Sequence, residues 1–397
     1  MVEYRKELNR NMQFLSYLRK NIILKNPFSI LLANFIGTEQ QKDIEVRTKL
    51  IKDYYRIKIN VKEFDDDERA KRGLPPFDFN KIEETLNALR NEFDMPFWAW
   101  AKLGDKSKLS DLKNYNHAFI YQLKSCNLFC PWCYVDDINK NGEKDNNAEF
   151  FTIQEIVDVF EKEREKKPSL NFLRCSGGEP TIAIEQWLYV LEELEKREMS
   201  NKVYVQSDTN LTTGHFIDIL EEKGEIEKGL LEKIGRYNNF GLLCSFKGTD
   251  EKNYSLNTGI PVEECSAFLE ENIYTFKKML NASIDAYPFF YNPNPETIEN
   301  FLDRLAIEIG DEDIIRKSWV FILKPYGPEK IRLRKRAIKE GIKEEDIQNY
   351  IDDYCKNLVV NFNKAKEKMR EIMKKRFNEE YQLKMRTSIL GEKVRKK

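Results

Sequence analysis

From about residue 115 the chain alternates short apolar runs with amphipathic stripes. Six runs, at 117–122, 171–175, 202–206, 241–246, 283–290 and 318–323, are brief, β-rich and bounded by turn residues or charge, so they predict strands. After the first run, Ile153, Ile156, Val157 and Phe160 fall on one helical face, behind a Thr152-Ile-Gln-Glu155 capping box. After the second, Ile184, Trp187, Leu188, Leu191 and Leu194 repeat that spacing. Pro261 and Pro295 stand at the first turns of further stripes, one through Phe268 and Ile273, the other through Ile298, Leu302 and Leu305. Strands separated by helices predict an α/β fold with a parallel sheet, here a partial (β/α)6 TIM-like barrel with helical N- and C-terminal extensions. Active-site groups are expected at the carboxyl ends of its strands.

The flanks have a different rhythm. Residues 1–110 are mixed, with a charged stretch from Glu63 to Arg72, a Pro75-Pro76 break and a helical pattern from Phe79 to Phe93. Beyond about 330 the chain is strongly helical and charged. The expected division is a partly helical extension over 1–110, the barrel over 111–328 and a helical extension over 329–397. Composition adds exclusions: 41% apolar content over 397 residues suits one enzyme with extensions, and 66 basic against 67 acidic residues do not call for nucleic acid or a membrane surface. The first 21 residues are charged throughout, unlike a signal peptide, and no window approaches 18 uninterrupted apolar residues, so a soluble cytoplasmic protein is expected.

Seven cysteines include three packed into eight residues, a clustering that favours metal binding or catalysis over a disulfide framework. Cys126-Asn-Leu-Phe-Cys130-Pro-Trp-Cys133 follows the first predicted strand directly. Three thiolates on one loop can face one centre, and a 4Fe-4S cluster held by three cysteines keeps one iron open to a small molecule. Structural zinc is the alternative, but it takes a closed tetrahedral shell, and neither His117 nor His215 lies at finger spacing from these cysteines.

This CxxxCxxC loop at the end of a first strand resembles the signature of the radical S-adenosylmethionine (SAM) superfamily, over residues 115 to about 325. The resemblance implies a 4Fe-4S cluster on Cys126, Cys130 and Cys133, whose open iron chelates SAM and passes it an electron. Methionine and a 5'-deoxyadenosyl radical result, and the radical abstracts hydrogen from a substrate. It also implies oxygen sensitivity and an external flavodoxin- or ferredoxin-like electron donor. Trp132 occupies the aromatic position that packs by the adenine in the family. Arg174-Cys-Ser-Gly-Gly-Glu-Pro-Thr181 resembles the GGEP motif that receives the SAM amino group: Gly177 and Gly178 permit close approach, Glu179 accepts from the ammonium, and Pro180 opens a helix.

At the end of the third strand, Ser207, Asp208 and Asn210 are candidates for the ribose and carboxylate of SAM, with turn capping as the plainer explanation. Cys244-Ser-Phe-Lys-Gly resembles the corresponding strand end of glycyl-radical activating enzymes. Ser245 replaces the usual acid there, which puts that subgroup in doubt, while Lys247 is placed to neutralise a carboxylate. The run from Trp319 to Gly327 offers backbone to adenine or simply packs.

No further cysteine cluster points to an auxiliary centre, and residues 1–110 hold no histidine for a cobalamin domain. Lone cysteines read as core, with Cys244 a possible hydrogen donor to a substrate radical. Phe97-Trp-Ala-Trp-Ala-Lys102 either lines a substrate entrance or plugs the barrel. Arg332, Arg334, Lys335 and Arg336, with Lys374, Lys375 and Arg376, offer a basic face for RNA, though glutamates interrupt it. Substrate and product are not legible. Activation of a protein partner, modification of RNA or a small molecule, and a non-catalytic zinc-binding scaffold are the alternatives carried forward.

Overall fold

In the computed structural model, which describes residues 2–42, 49–81, 95–105, 107–322 and 327–381, all six expected runs lie side by side in one sheet. Along the chain the strands are β1 (Ile23–Lys25), β2 (Phe28–Ala33), β3 (Lys49–Ile51), β4 (Tyr55–Ile59), β5 (His117–Tyr121), β6 (Ala148–Thr152), β7 (Phe172–Cys175), β8 (Tyr204–Thr209), β9 (Phe240–Phe246), β10 (Asp285–Tyr291) and β11 (Trp319–Phe321). The main sheet has the order β3-β4-β5-β7-β8-β9-β10-β11, parallel from β5 to β11 and antiparallel at the β3–β4 edge. Strands that neighbour in space follow one another in the chain, so every crossover turns the same way. This winding belongs to a barrel and not to a doubly wound sheet. No pairing joins β11 to β3 among the described residues, so the barrel is partial.

Alternation along the strands sorts the two faces. Phe119, Leu173, Val205, Leu242 and Phe290 point outward, into an apolar layer with helices α1 (Val2–Ile22), α3 (Ile153–Lys166), α4 (Glu185–Lys196), α5 (Gly214–Glu222), α6 (Cys265–Asn281) and α7 (Ile298–Ile309). Ile120, Phe172, Tyr204, Leu243 and Tyr287 point inward. The expected capping box forms: Thr152 Oγ1 accepts from the Glu155 N–H at 3.2 Å, and Glu155 accepts from the Thr152 N–H at 2.8 Å. The crossovers hold more than the expected helices. Short segments at Leu230–Ile234, Glu251–Thr258 and Asp313–Lys317 accompany α5, α6 and α7.

The N-terminal segment is woven into the same core. Helix α1 buries Leu15, Leu18 and Ile22 with the crossover helices, and its Arg19 forms a buried ion pair with Glu185 on α4. β1, β2 and β6 make a small antiparallel sheet. It joins the end of β5 through the Ala33 N–H on the Gln122 carbonyl (2.9 Å) and the Lys124 N–H on the Leu31 carbonyl (3.0 Å). The expected helix from Phe79 to Phe93 begins as a 3-10 turn at Phe79–Lys81, and the remainder lies outside the described residues.

Helix α2 (Met95–Leu103) carries the aromatic run and decides its role. Trp98 is completely buried, edge-on to Tyr287 at 4.5 Å and 6.3 Å from Tyr204, near the amino-terminal ends of the strands. Lys102 pairs with buried Asp285 at 3.0 Å, at the start of β10. The aromatics therefore plug the floor of the barrel, and an entrance at the opposite, carboxyl-end side is not theirs to line. Helices α8 (Gly327–Lys339) and α9 (Ile347–Phe377) form the C-terminal part. Much of its basic charge is already paired: Arg334 with Glu344, Arg336 with Glu340 at 2.7 Å, Lys375 with Glu299 at 3.4 Å, and Arg376 with Asp303 and Glu312. Glutamates thus break the basic face on the folded helices as they do in the sequence.

Replacing Trp98 by Ala empties a closed floor and is expected to lower stability by about 3–5 kcal/mol in denaturant titration. Ile307→Ala, at a position 80% exposed on α7, is expected to change stability by less than about 0.5 kcal/mol.

Candidate active site

The cysteine loop leaves β5 at its carboxyl end and is stitched on both sides. The Cys126 N–H donates to the Lys140 carbonyl at 3.0 Å, Gly142 N–H to the Lys124 carbonyl at 2.9 Å, and Cys133 N–H to the Cys130 carbonyl at 3.1 Å. Cys126 is buried, Cys130 and Cys133 are half-buried, and all three are free thiols. Burial pushes the Cys126 thiol up, as do the neighbouring charges of Cys130, Glu179 and Cys133. Burial also raises Cys130, while the ammonium of Lys247 works against that rise. A second ammonium, of fully buried Lys140, sits on Asp137 at 2.9 Å; burial lowers its pKa, but negative charge at Cys133 and Asp137 raises it overall.

Among the described residues no three Cys, His, Asp or Glu side chains converge on a point as ligands to a single ion would. A cubane cluster presents separate irons at its corners, so its thiolates ring a volume instead of meeting. Three free thiols near enough to feel one another's charge, flanked by two ammonium groups, fit such an anionic group.

The Gly-Gly-Glu-Pro turn at the end of β7 explains itself by packing. Gly177 and Gly178 both have positive φ, +100° and +67°. A Cβ on Gly178 would lie 2.3 Å from the carbonyl oxygens of Leu123 and Ser125, and one on Gly177 would strike the Gln122 side chain. The close approach that the glycines permit is thus to the cysteine loop's own backbone. Glu179 then donates its N–H to the Ser125 carbonyl at 2.6 Å. Its carboxylate accepts from the Asn210 N–H at 2.7 Å and from the Thr181 hydroxyl, and burial raises its pKa against these hydrogen bonds. Pro180 opens a buried 3-10 turn, as expected of a proline at a first turn. Asn210 completes the link, its amide 3.0 Å from Asn127 Oδ1 and 3.8 Å from Cys126 Sγ.

Strand β8 continues to Thr209, beyond the expected end at 206, so Ser207 and Asp208 lie in the strand and face opposite ways. Ser207 is fully buried and its hydroxyl donates to the Cys175 carbonyl at 3.0 Å, away from the inner face. Asp208 faces inward and accepts from Arg174 Nη2 at 2.8 Å through both oxygens. Lys247 lies over the Tyr291 ring at 4.4 Å; burial lowers its pKa, but negative charge at Cys130, Tyr291, Cys133 and Cys126 raises it overall. Cys244 is fully buried in the outer apolar layer, so it does not face a substrate inside the barrel. Trp319 and Phe321 pack inward, and residues 323–326 of the expected adenine-facing run lie outside the described residues.

Trp132 has an unexpected neighbour. It is 2% exposed and packs with Leu333, Ala337, Ile347, Ile351 and Leu358 of α8 and α9, its ring 4.5 Å from that of Tyr354. Arg332 of α8 donates to the carbonyls of Cys133 and Val135 and to Asp137 Oδ1, the last at 3.0 Å. Sequence reasoning missed Arg332, Lys140 and Arg174. Arg332 was grouped with other basic residues of its helix, and a lone lysine in a loop or a lone arginine in a strand carries no signal of its partners.

The comparisons accord with this geometry. Residues 122–305 match the sequence model of the radical SAM superfamily. This match, over a little under half of the chain, supports an enzyme with a radical SAM domain over an inert scaffold. Members of that superfamily generally bind a 4Fe-4S cluster and SAM, and their shared chemistry is radical cleavage of SAM. Among solved structures, that of Streptococcus suis SuiB bound to precursor peptide SuiA aligns at 18% identity and a TM-score of 0.37, over 58% of this chain and 46% of that one. The chain therefore spans less than half of that protein. No curated protein matches. Among the described residues no helix is long and apolar enough to cross a membrane.

Gly178→Ala is expected to abolish soluble expression or strip the loop of order, because both the positive φ and the two carbonyls oppose a Cβ; solubility and circular dichroism report it. Trp132→Ala and Arg332→Met are each expected to release α8 and α9 from the loop. Limited proteolysis should then cut these helices faster than in the wild type, and unchanged cutting would mean that the contacts do not anchor them.

Proposed function

We propose that Cys126, Cys130 and Cys133 hold one 4Fe-4S cluster, and that the chain cleaves SAM there and abstracts hydrogen from a substrate on the inner face of the barrel. The observation that carries this reading is the loop itself: three free cysteines beside Lys140 and Lys247, laced to the Gly177–Pro180 turn. When bound, the cluster supplies one electron to the SAM sulfonium, giving methionine and a 5'-deoxyadenosyl radical.

The protein's own residues position and insulate. Glu179, whose carboxylate already accepts from Asn210, Thr181 and Thr209, is the candidate acceptor for the SAM ammonium. Lys247 compensates negative charge beside the thiols, whether of the loop or of a SAM carboxylate. Asp208, oriented by Arg174, and Asn210 remain the candidates for the ribose. Ser207, spent on the Cys175 carbonyl, contributes through the strand and not through its hydroxyl. Trp132 is committed to α8 and α9, so its part is to brace the loop. Residues 111–328 form the catalytic unit in this reading, and an external flavodoxin- or ferredoxin-like protein delivers the electron.

Anaerobic reconstitution with iron and sulfide, followed by dithionite and SAM, should give 5'-deoxyadenosine by liquid chromatography and mass spectrometry. Cys130→Ala should lower bound iron and remove that product, and equal yield from wild type and variant would end the proposal. Glu179→Gln should weaken SAM binding roughly 10- to 100-fold, the value of one charge-assisted hydrogen bond.

A further inference from the structure

Beyond the end of β8, polar side chains close on themselves in a ring. The Asn210 amide donates to Asn127 Oδ1 at 3.0 Å, the Asn127 amide to the Thr212 hydroxyl at 2.8 Å, and that hydroxyl to Asn210 Oδ1 at 2.5 Å. Helix α1 anchors the ring through Asn11, which accepts the second Asn127 hydrogen at 2.9 Å and donates to the Thr212 carbonyl at 3.0 Å. All four side chains are buried, where a fully satisfied network is rigid.

The ring decides which way the Asn210 amide points. Its oxygen accepts from the Thr212 hydroxyl and also from the Thr212 N–H at 3.1 Å, and a flipped amide would set its own hydrogens against that N–H. The amide nitrogen therefore faces Asn127 Oδ1 with one hydrogen and Cys126 Sγ, 3.8 Å away, with the other. The Leu128 N–H donates to the same sulfur at 3.5 Å. Hydrogen bonds to the sulfurs tune the reduction potential of an iron-sulfur cluster. An added electron makes the sulfurs better acceptors, so a donor held on one of them favours the reduced form. We infer that Asn210 acts through Cys126 as a positioning residue, held on the sulfur by Asn127, Thr212 and Asn11, and that this contact makes the cluster easier to reduce. The inference rests on the reading that Cys126, Cys130 and Cys133 hold a 4Fe-4S cluster. It narrows the ribose candidates to Asp208, because both hydrogens and the oxygen of the Asn210 amide are engaged. One electron from the external donor adds one negative charge beside these bonds; no bond forms or breaks and no proton moves.

The test is a potentiometric titration of the anaerobically reconstituted full chain with mediator dyes, without SAM or substrate, read by electron paramagnetic resonance of the reduced cluster. Asn210→Leu should shift the ratio of reduced to oxidised cluster about three- to tenfold toward the oxidised form. That is a midpoint lower by roughly 30–60 mV, at about 59 mV per tenfold for one electron. Thr212→Val keeps the Asn210 amide and removes two bonds of the ring, so it should shift the ratio the same way by a smaller factor. Asn272→Leu controls for disturbance of the turn alone. The Asn272 amide on α6 holds the Asn210 and Leu211 carbonyls at 3.3 and 3.0 Å, so its loss should lower the melting temperature and leave the midpoint at the wild-type value. An unchanged midpoint in Asn210→Leu, or an equal fall in Asn272→Leu, would overturn the inference. An unchanged or raised midpoint in Thr212→Val would overturn it too, which keeps the question decidable where Asn210→Leu takes up no iron. Wild-type protein that takes up no cluster would instead end the reading on which the inference rests, so the two failures are told apart.

Discussion

Where the turn after β7 passes under the start of the cysteine loop, the carbonyl oxygens of Leu123 and Ser125 leave no room for a Cβ at residue 178. That steric constraint holds the site together. It brings the Glu179 N–H onto the Ser125 carbonyl and aims the carboxylate at the Asn210 N–H, so the ends of β5, β7 and β8 are joined by one glutamate. The position of the three thiols is inherited from this joint. A Cβ there would push the two strand ends apart and carry Cys126 with them.

Around the joint the molecule tolerates a number of buried charges because each has been given company. Arg19 meets Glu185, Lys102 meets Asp285, and Arg174 meets Asp208. Such pairs return little net stability, since the attraction largely repays desolvation, but breaking one leaves an uncompensated charge inside. They fix relative positions: α1 against α4, floor against β10, β7 against β8. The cations beside the cysteines are of another kind. Lys140 and Lys247 are buried cations beside the cysteine thiols, an arrangement that favours a negative occupant.

The six parallel strands were legible because each is a short apolar run closed by turn residues, and the capping box at Thr152 because it is local. The edge hairpin β3–β4 and the small sheet β1-β2-β6 were not read. Tyr55–Ile59 alternates with arginine and lysine, Ala148–Thr152 is five residues long, and both acquire their order from pairing with distant strands. At the candidate site, the motifs pointed to the cysteines and Glu179, which the fold brings to neighbouring strand ends. Sequence spacing ended β8 three residues early, and that error concealed the parity that sends Ser207 and Asp208 to opposite faces. The partnership of Trp132 with Leu333 and Ile351 spans about two hundred residues and leaves no local pattern.

That partnership has a bearing on how the protein is made. Residues 126–134 leave the ribosome well before 327–377, yet Trp132 and the carbonyls of Cys133 and Val135 find their partners on those later helices. During synthesis the loop therefore exists for a time without these partners. Until those later helices are made, Trp132 lacks the apolar cover that Leu333, Ala337, Ile347, Ile351 and Leu358 provide.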